Sequence, residues 1–158
     1  PSTPPPDAGV GRVEALWTKR ARRGPMDPAD RIRLVAGNGV ASDANFGRGR
    51  RQVTVIEREV FDRIRAELPT ADPIMRRANI MVSGIRLEGT RDQILSLGGV
   101  RLHVRGETRP CERMDAQCDG LRLALDPDWN GGVFAVVLDD GEIRIGDEVR
   151  WDGAMGGP

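Results

Sequence analysis

Only one stretch of this chain, residues 57–68, is flanked and filled by apolar side chains at helical spacing. Ile56, Val60, Phe61, Ile64 and Leu68 share a face, Glu59 and Arg63 stand at i,i+4, and Pro69 ends the run. Elsewhere apolar residues alternate with polar ones or form short β-branched runs. Helices alternate with strands too sparsely for a doubly wound parallel sheet. The pattern predicts a mainly β, barrel-like fold of seven or eight short strands with one main α-helix and a short second helix.

The strand patterns cover residues 12–19, 31–36, 52–56, 79–83, 93–97, 100–105, 133–138, 142–145 and 149–151. Gly98-Gly99 predicts a two-residue hairpin, and Asp139-Asp140-Gly141 predicts a second one joining 133–138 to 142–145. Residues 120–125 read as the short helix, capped by Asp119. Residues 1–10 read as a disordered proline-rich tail, 11–152 as a single domain and 153–158 as a flexible tail. At 158 residues the chain buries enough surface to need no disulfide.

Composition narrows the function. Acidic and basic residues balance at 24 each, which argues against a dedicated nucleic-acid binder. Two cysteines and one histidine cannot by themselves complete a Cys/His zinc site, so no zinc is expected. No apolar stretch approaches a membrane span and no secretory signal is visible, so the expected compartment is the cytoplasm, with reduced thiols. Of the 24 basic residues only Lys19 is lysine. Codon bias explains most of an arginine excess, but arginine is also the side chain that grips phosphate with a planar fork.

Four places could carry chemistry. Cys111 follows a strand and a proline, with Arg109 and Arg113 two residues to either side; both favour a thiolate, which Glu107, Glu112 and Asp115 partly counter. It reads either as a reactive thiolate or as a small buried residue. The glycine-rich loop 37–50 lacks Walker and dinucleotide-binding spacing, yet Arg48, Arg50 and Arg51 could clamp an anion from it. Its alternative is a solvated basic turn. Arg76-Arg77 before a strand is either a flank that protects a sheet edge or a second clamp. His103, out of phase with Leu102 and Val104, reads as a structural histidine facing solvent or the barrel lumen, and Cys118 as structural too. Trp17, Trp129 and Trp151 read as core or rim anchors, and Asp139-Asp140 as a turn rather than a metal site.

Several segments in order carry a resemblance. They are 37–43 with Phe46-Gly47, 51–57, Arg76-Arg77-Ala78-Asn79-Ile80 with 83–87, Arg109-Pro110-Cys111-Glu112-Arg113-Met114-Asp115, Gly131-Gly132-Val133, and 141–149. Together they resemble a MOSC domain, the C-terminal domain of molybdenum cofactor sulfurases, which is related to the amidoxime-reducing proteins. The resemblance covers residues 11–151. It implies the barrel-like MOSC fold and a role for Cys111, either as a ligand to molybdenum in a bound molybdopterin cofactor or as a persulfide carrier. The leading expectation is a stand-alone MOSC protein. In it, Asp43, Arg51, Arg76, Arg77, Asn79, Arg109 and Arg113 hold the cofactor, and N- or S-oxygenated small molecules are reduced with an external electron-donor protein. One alternative is a sulfur carrier loaded by a partner desulfurase; another is a non-catalytic storage or delivery module. Two departures stand out. Asn45 occupies a position where many members have histidine, and neither the N-terminal barrel domain of the larger reductases nor the aminotransferase-like domain of the full sulfurases is expected here; Lys19, the only lysine, matches no Schiff-base motif, so pyridoxal phosphate is not expected.

Overall fold

The computed structural model describes residues 10–110 and 113–154. Eleven strands carry the fold: β1 Gly11–Lys19, β2 Met26–Ala29, β3 Arg31–Val35, β4 Gly39–Val40, β5 Val53–Glu57, β6 Ile80–Ser83, β7 Gln93–Leu97, β8 Val100–Glu107, β9 Val133–Val137, β10 Gly141–Arg144 and β11 Glu148–Ala154. Three helices join them: α1 Arg58–Glu67, α2 Arg113–Gln117 and α3 Leu121–Leu125.

Seven strands close a barrel in the order β11-β7-β8-β9-β5-β6-β1, because β1 also pairs with β11, and β2 extends the sheet as an eighth strand. One long strand therefore makes three pairings. The start of β1 meets β11 (Gly11↔Val149), its middle meets β6 (Leu16↔Ile80), and its end meets β2 (Lys19↔Met26). A register shift between Val13 and Ala15 lets it change partner, the usual work of a bulge. Among the described residues only β5 and β6 are parallel, and α1 is the crossover between them. A separate small sheet runs β10-β3-β4.

Each strand's buried positions face one of two cores. The lumen is filled by aliphatic side chains such as Val13, Leu34, Val55, Leu95 and Val104. Outside the barrel, α1 lays Val60, Phe61 and Ile64 against Ile56 and Trp17, and Met114, Leu121 and Leu125 of the later helices complete that second cluster. Cys118 is buried there, with its sulfur 3.5 Å from the Thr70 hydroxyl. Trp129 and Trp151 pack half-buried against the lumen cluster.

Several expectations need correction. Residues 133–138 and 142–145 do not form a hairpin: β9 lies between β5 and β8, while β10 pairs with β3. The turn acids hold neighbours, since Asp139 takes a two-pronged grip from Arg101 and Asp140 accepts the Ala36 N–H. Helix α3 is preceded by Gly120, without a side-chain cap from Asp119. Glu59 turns to the Gly84 N–H (2.7 Å) rather than to Arg63, and the i,i+4 ion pair on α1 is Arg58–Asp62. Gly153 and Ala154 belong to β11 rather than to a tail. The remaining tail residues, 1–9 and 155–158, lie outside the described residues. The β7–β8 hairpin forms as predicted, with Gly98 and Gly99 at positive φ (55° and 92°), as its tight turn requires. Among the described residues no helix is long and apolar enough to cross a membrane.

Candidate functional site

A cavity of about 860 Å³ opens where five loops meet outside the barrel. The end of β1 brings Lys19, and the segment after it brings Arg22 and Arg23. The 41–52 loop adds Asn45 and Arg51, the single turn before β6 adds Arg76 and Arg77, and Thr108, Arg109 and Gly131 close the far side. Among the described residues seven cationic side chains line it and no carboxylate does. A second hollow of about 400 Å³ shares Arg22, Asn45 and Arg51 and adds Arg48, Arg50 and Phe134.

The loops are held by buried polar side chains. Asp43 (6% exposed) accepts from the Lys19 N–H (2.7 Å), the Asn45 N–H (2.9 Å) and the Asn79 amide (3.0 Å). Asn79 (2% exposed) also donates to the Trp17 carbonyl (3.3 Å) and accepts from the Thr54 N–H (3.1 Å). These bonds tie β1, β5, β6 and the 41–52 loop into one frame. Gln52 does the same from the other side. Its amide nitrogen donates to the Gly37 and Gly49 carbonyls (2.8 and 2.7 Å), and its oxygen accepts the Val137 N–H (3.0 Å).

The two adjacent arginines do different work. Arg76 donates to the carbonyls of Gly131 (3.0 Å), Thr108 (3.0 Å) and Arg109 (3.4 Å), clasping the two segments that form the far wall. Gly131 is required there, because a Cβ on it would strike the Thr108 carbonyl. Arg77 sits at φ 60°, ψ 38°, in the left-handed region, and donates to the Arg22 carbonyl (3.2 Å). An arginine held in that conformation is local strain of the kind that collects at binding sites. Arg51 lays its guanidinium 4.7 Å from the centre of the Phe134 ring.

The electrostatics follow from this crowding. Burial lowers the Lys19 ammonium below its usual range; Asp43 opposes that shift, while Arg77, Arg22 and Arg48 add to it. An anion in the cavity would relieve the repulsion. The Thr108 hydroxyl oxygen is buried with no hydrogen-bond partner among the described residues.

The structure thus brings together Arg51, Arg76, Arg77 and Arg109 of the expected residues. It sets Asp43 and Asn79 in the frame behind the wall, where they orient Lys19, Asn45 and Thr54. Cys111 lies outside the described residues, as does the side chain of Arg113. His103 is buried, with Nε2 2.8 Å from the Asp92 carboxylate, away from this cavity. Lys19, Arg22 and Arg23 went unread. The signal was present: four of the five residues 19–23 are cationic, directly after a strand.

A family model described as the MOSC domain matches residues 41–150. The chain belongs to the MOSC family. Its solved structural neighbours include the YuaD protein from Bacillus subtilis, with a TM-score of 0.74 at 20% identity over 90% of this chain and 95% of that one. YiiM from Geobacillus stearothermophilus scores 0.72 at 14% identity, over 89% and 74%. YiiM from Escherichia coli scores 0.65 at 14% identity, over 89% and 69%. At these identities the likeness shows a shared fold. No curated protein matches the chain. The MOSC match begins inside the glycine-rich loop and ends in β11, so it takes in most of the cavity's wall, while Lys19, Arg22 and Arg23 precede it.

Proposed function

We propose that this MOSC protein binds molybdenum cofactor in the cationic cavity and uses it to reduce N- or S-oxygenated small molecules, with Cys111 as the protein ligand to the metal. The observation that carries the reading is the lining: seven cations and, among the described residues, no carboxylate around about 860 Å³. That volume suits one small organic ligand, and the charge suits a phosphate-bearing one. Among the described residues no group of three His, Cys, Asp or Glu side chains could hold a bare metal ion. The cationic lining fits an anionic organic ligand that brings its own metal.

Arg51, Arg77 and Lys19 would neutralise the phosphate arm, and Arg109 would face the oxo-metal end together with Cys111. Arg109 and Met114 both line the cavity, and Cys111 falls between them in sequence. A thiolate is a suitable soft ligand for molybdenum. When bound, the cofactor supplies the two-electron redox centre; the protein's part is to bind it, neutralise it and leave one face open to substrate. Electrons would come from a separate donor protein.

Metal analysis of the full chain from a cofactor-competent host tests this. Near-stoichiometric molybdenum is expected, lost in Cys111→Ser without loss of folding. Absence of molybdenum, with a mass gain of one sulfur on Cys111, would overturn the reading in favour of a sulfur carrier. Bound cofactor without turnover of any N-hydroxylated compound would leave binding intact and remove the reductase assignment.

A further inference from the structure

The helical layer outside the barrel carries a groove of its own. It lies between the second half of α1 and α3, encloses about 490 Å³ and has no lining residue in common with the cationic mouth. Its floor is apolar, with Val60 and Ile64 from α1, Leu68 just after that helix and Ala124 from α3. Leu123 also lines it, and at 75% it is the most exposed large apolar side chain among the described residues. An apolar side chain held in water beside an apolar floor marks a surface that a partner covers.

The charges on the rim say which partner. Arg63 and Glu67 both line the groove, one turn apart on α1, and both are exposed. Neither side chain has a hydrogen bond or ion pair among the described residues, whereas Arg58 and Asp62, one turn earlier on the same helix, do pair. Such i,i+4 positions stand roughly 6 Å apart on one helix face. When two copies of α1 lie antiparallel across a twofold axis, each Arg63 meets the Glu67 of the other copy. The rim is therefore complementary to itself, which is what a closed twofold contact requires. A partner of a single charge sign would match only one of the two. The wall of the groove is fixed in advance, since the Asn130 amide donates to the Ala124 carbonyl (3.0 Å).

We infer that this groove is the interface of a twofold dimer of the chain. Arg63 of each copy pairs with Glu67 of the partner subunit, and Leu123 of each copy covers the apolar floor of the other. The inference uses no residue of the cationic mouth and stands independently of the cofactor reading.

Sedimentation velocity on the full chain over a range of concentrations tests it. Wild type is expected to dimerise reversibly. Arg63→Glu and Glu67→Arg should each raise the dimer dissociation constant about tenfold or more, because each sets like charges together twice. An equal mixture of the two variants should dimerise again, since every rim contact in the mixed pair joins opposite charges. A misfolded chain could not be rescued in this way. Leu123→Glu should also leave the protein monomeric. A wild type that stays monomeric at about 100 µM, a dimer that withstands both reversals, or a mixture as dissociated as its components would overturn the inference.

Discussion

At the scale of single residues, the site is built by side chains held in positions their own chemistry resists. Arg77 is the clearest case, since its left-handed backbone disfavours any residue with a Cβ by about 1–2 kcal/mol. Arg77→Gly removes that strain along with the bond to the Arg22 carbonyl, so stability should stay within about 1 kcal/mol of wild type. Phosphate affinity should fall about tenfold or more, because a direct cation is gone. Urea denaturation and calorimetry together check this; unchanged affinity would mean that Arg77 only shapes the turn. Glu57 shows the same tension in the core. Burial raises its carboxyl above the ordinary range, opposed by the Leu87 N–H it accepts and by Arg86 and Arg63, while Glu59 adds to the rise. For an acid with a raised folded value, the contribution to stability is fully present below the unfolded value near 4.5 and is lost as pH rises through the folded one. Glu57→Gln keeps an acceptor for Leu87 and cannot ionise. Its melting temperature relative to wild type should therefore climb as pH rises above about 4.5. A difference that stays constant with pH would contradict the assignment.

At the scale of elements, the anchoring of the 41–52 loop decides whether the arginines form a site or a fringe. Gln52 holds it with three hydrogen bonds from a position 4% exposed. Gln52→Ala leaves buried backbone groups unpaired and should destabilise the fold by about 2–4 kcal/mol. It should also speed amide exchange in the loop and weaken phosphate binding, although Gln52 lines neither hollow. Normal exchange in the loop would show that another contact holds it. Local elements were legible in sequence where the signal was local. Helix α1 announced itself through Val60, Phe61 and Ile64, and the β7–β8 hairpin through Gly98-Gly99. Pairings between distant segments were not. Strand β10 follows β9 across a good turn sequence yet joins β3, because Ile143 opposite Ile32 seals the lumen there. Strand β2 was unread because it contains Pro28, and α2 because its five residues carry no period long enough to see.

At the scale of the whole molecule, a net charge of zero conceals a strong separation of charge. Several carboxylates are engaged away from the mouth. Asp27 pairs with Arg20, Asp139 with Arg101, and Asp43 is turned inward to backbone and amide donors. The mouth is lined by seven of the 24 cations, which leaves 17 to face the 24 acids over the rest of the chain. Sequence reading found Arg51, Arg76, Arg77 and Arg109 as separate candidates, but only closure of β1 onto β6 and β11 brings Lys19, Arg22 and Arg23 beside them. The barrel thus sets the site by holding loop ends, and the loops supply the chemistry, a common division of labour. The central claim is that this mouth is where the cofactor sits. Anomalous diffraction at the molybdenum edge, from crystals of protein loaded in a cofactor-competent host, tests it most directly. The account predicts one molybdenum peak within the cavity bounded by Arg51, Arg77 and Arg109, adjoining the Cys111 sulfur. A molybdenum peak elsewhere on the molecule, or a loaded protein in which Arg51 and Arg77 face only solvent, would contradict it.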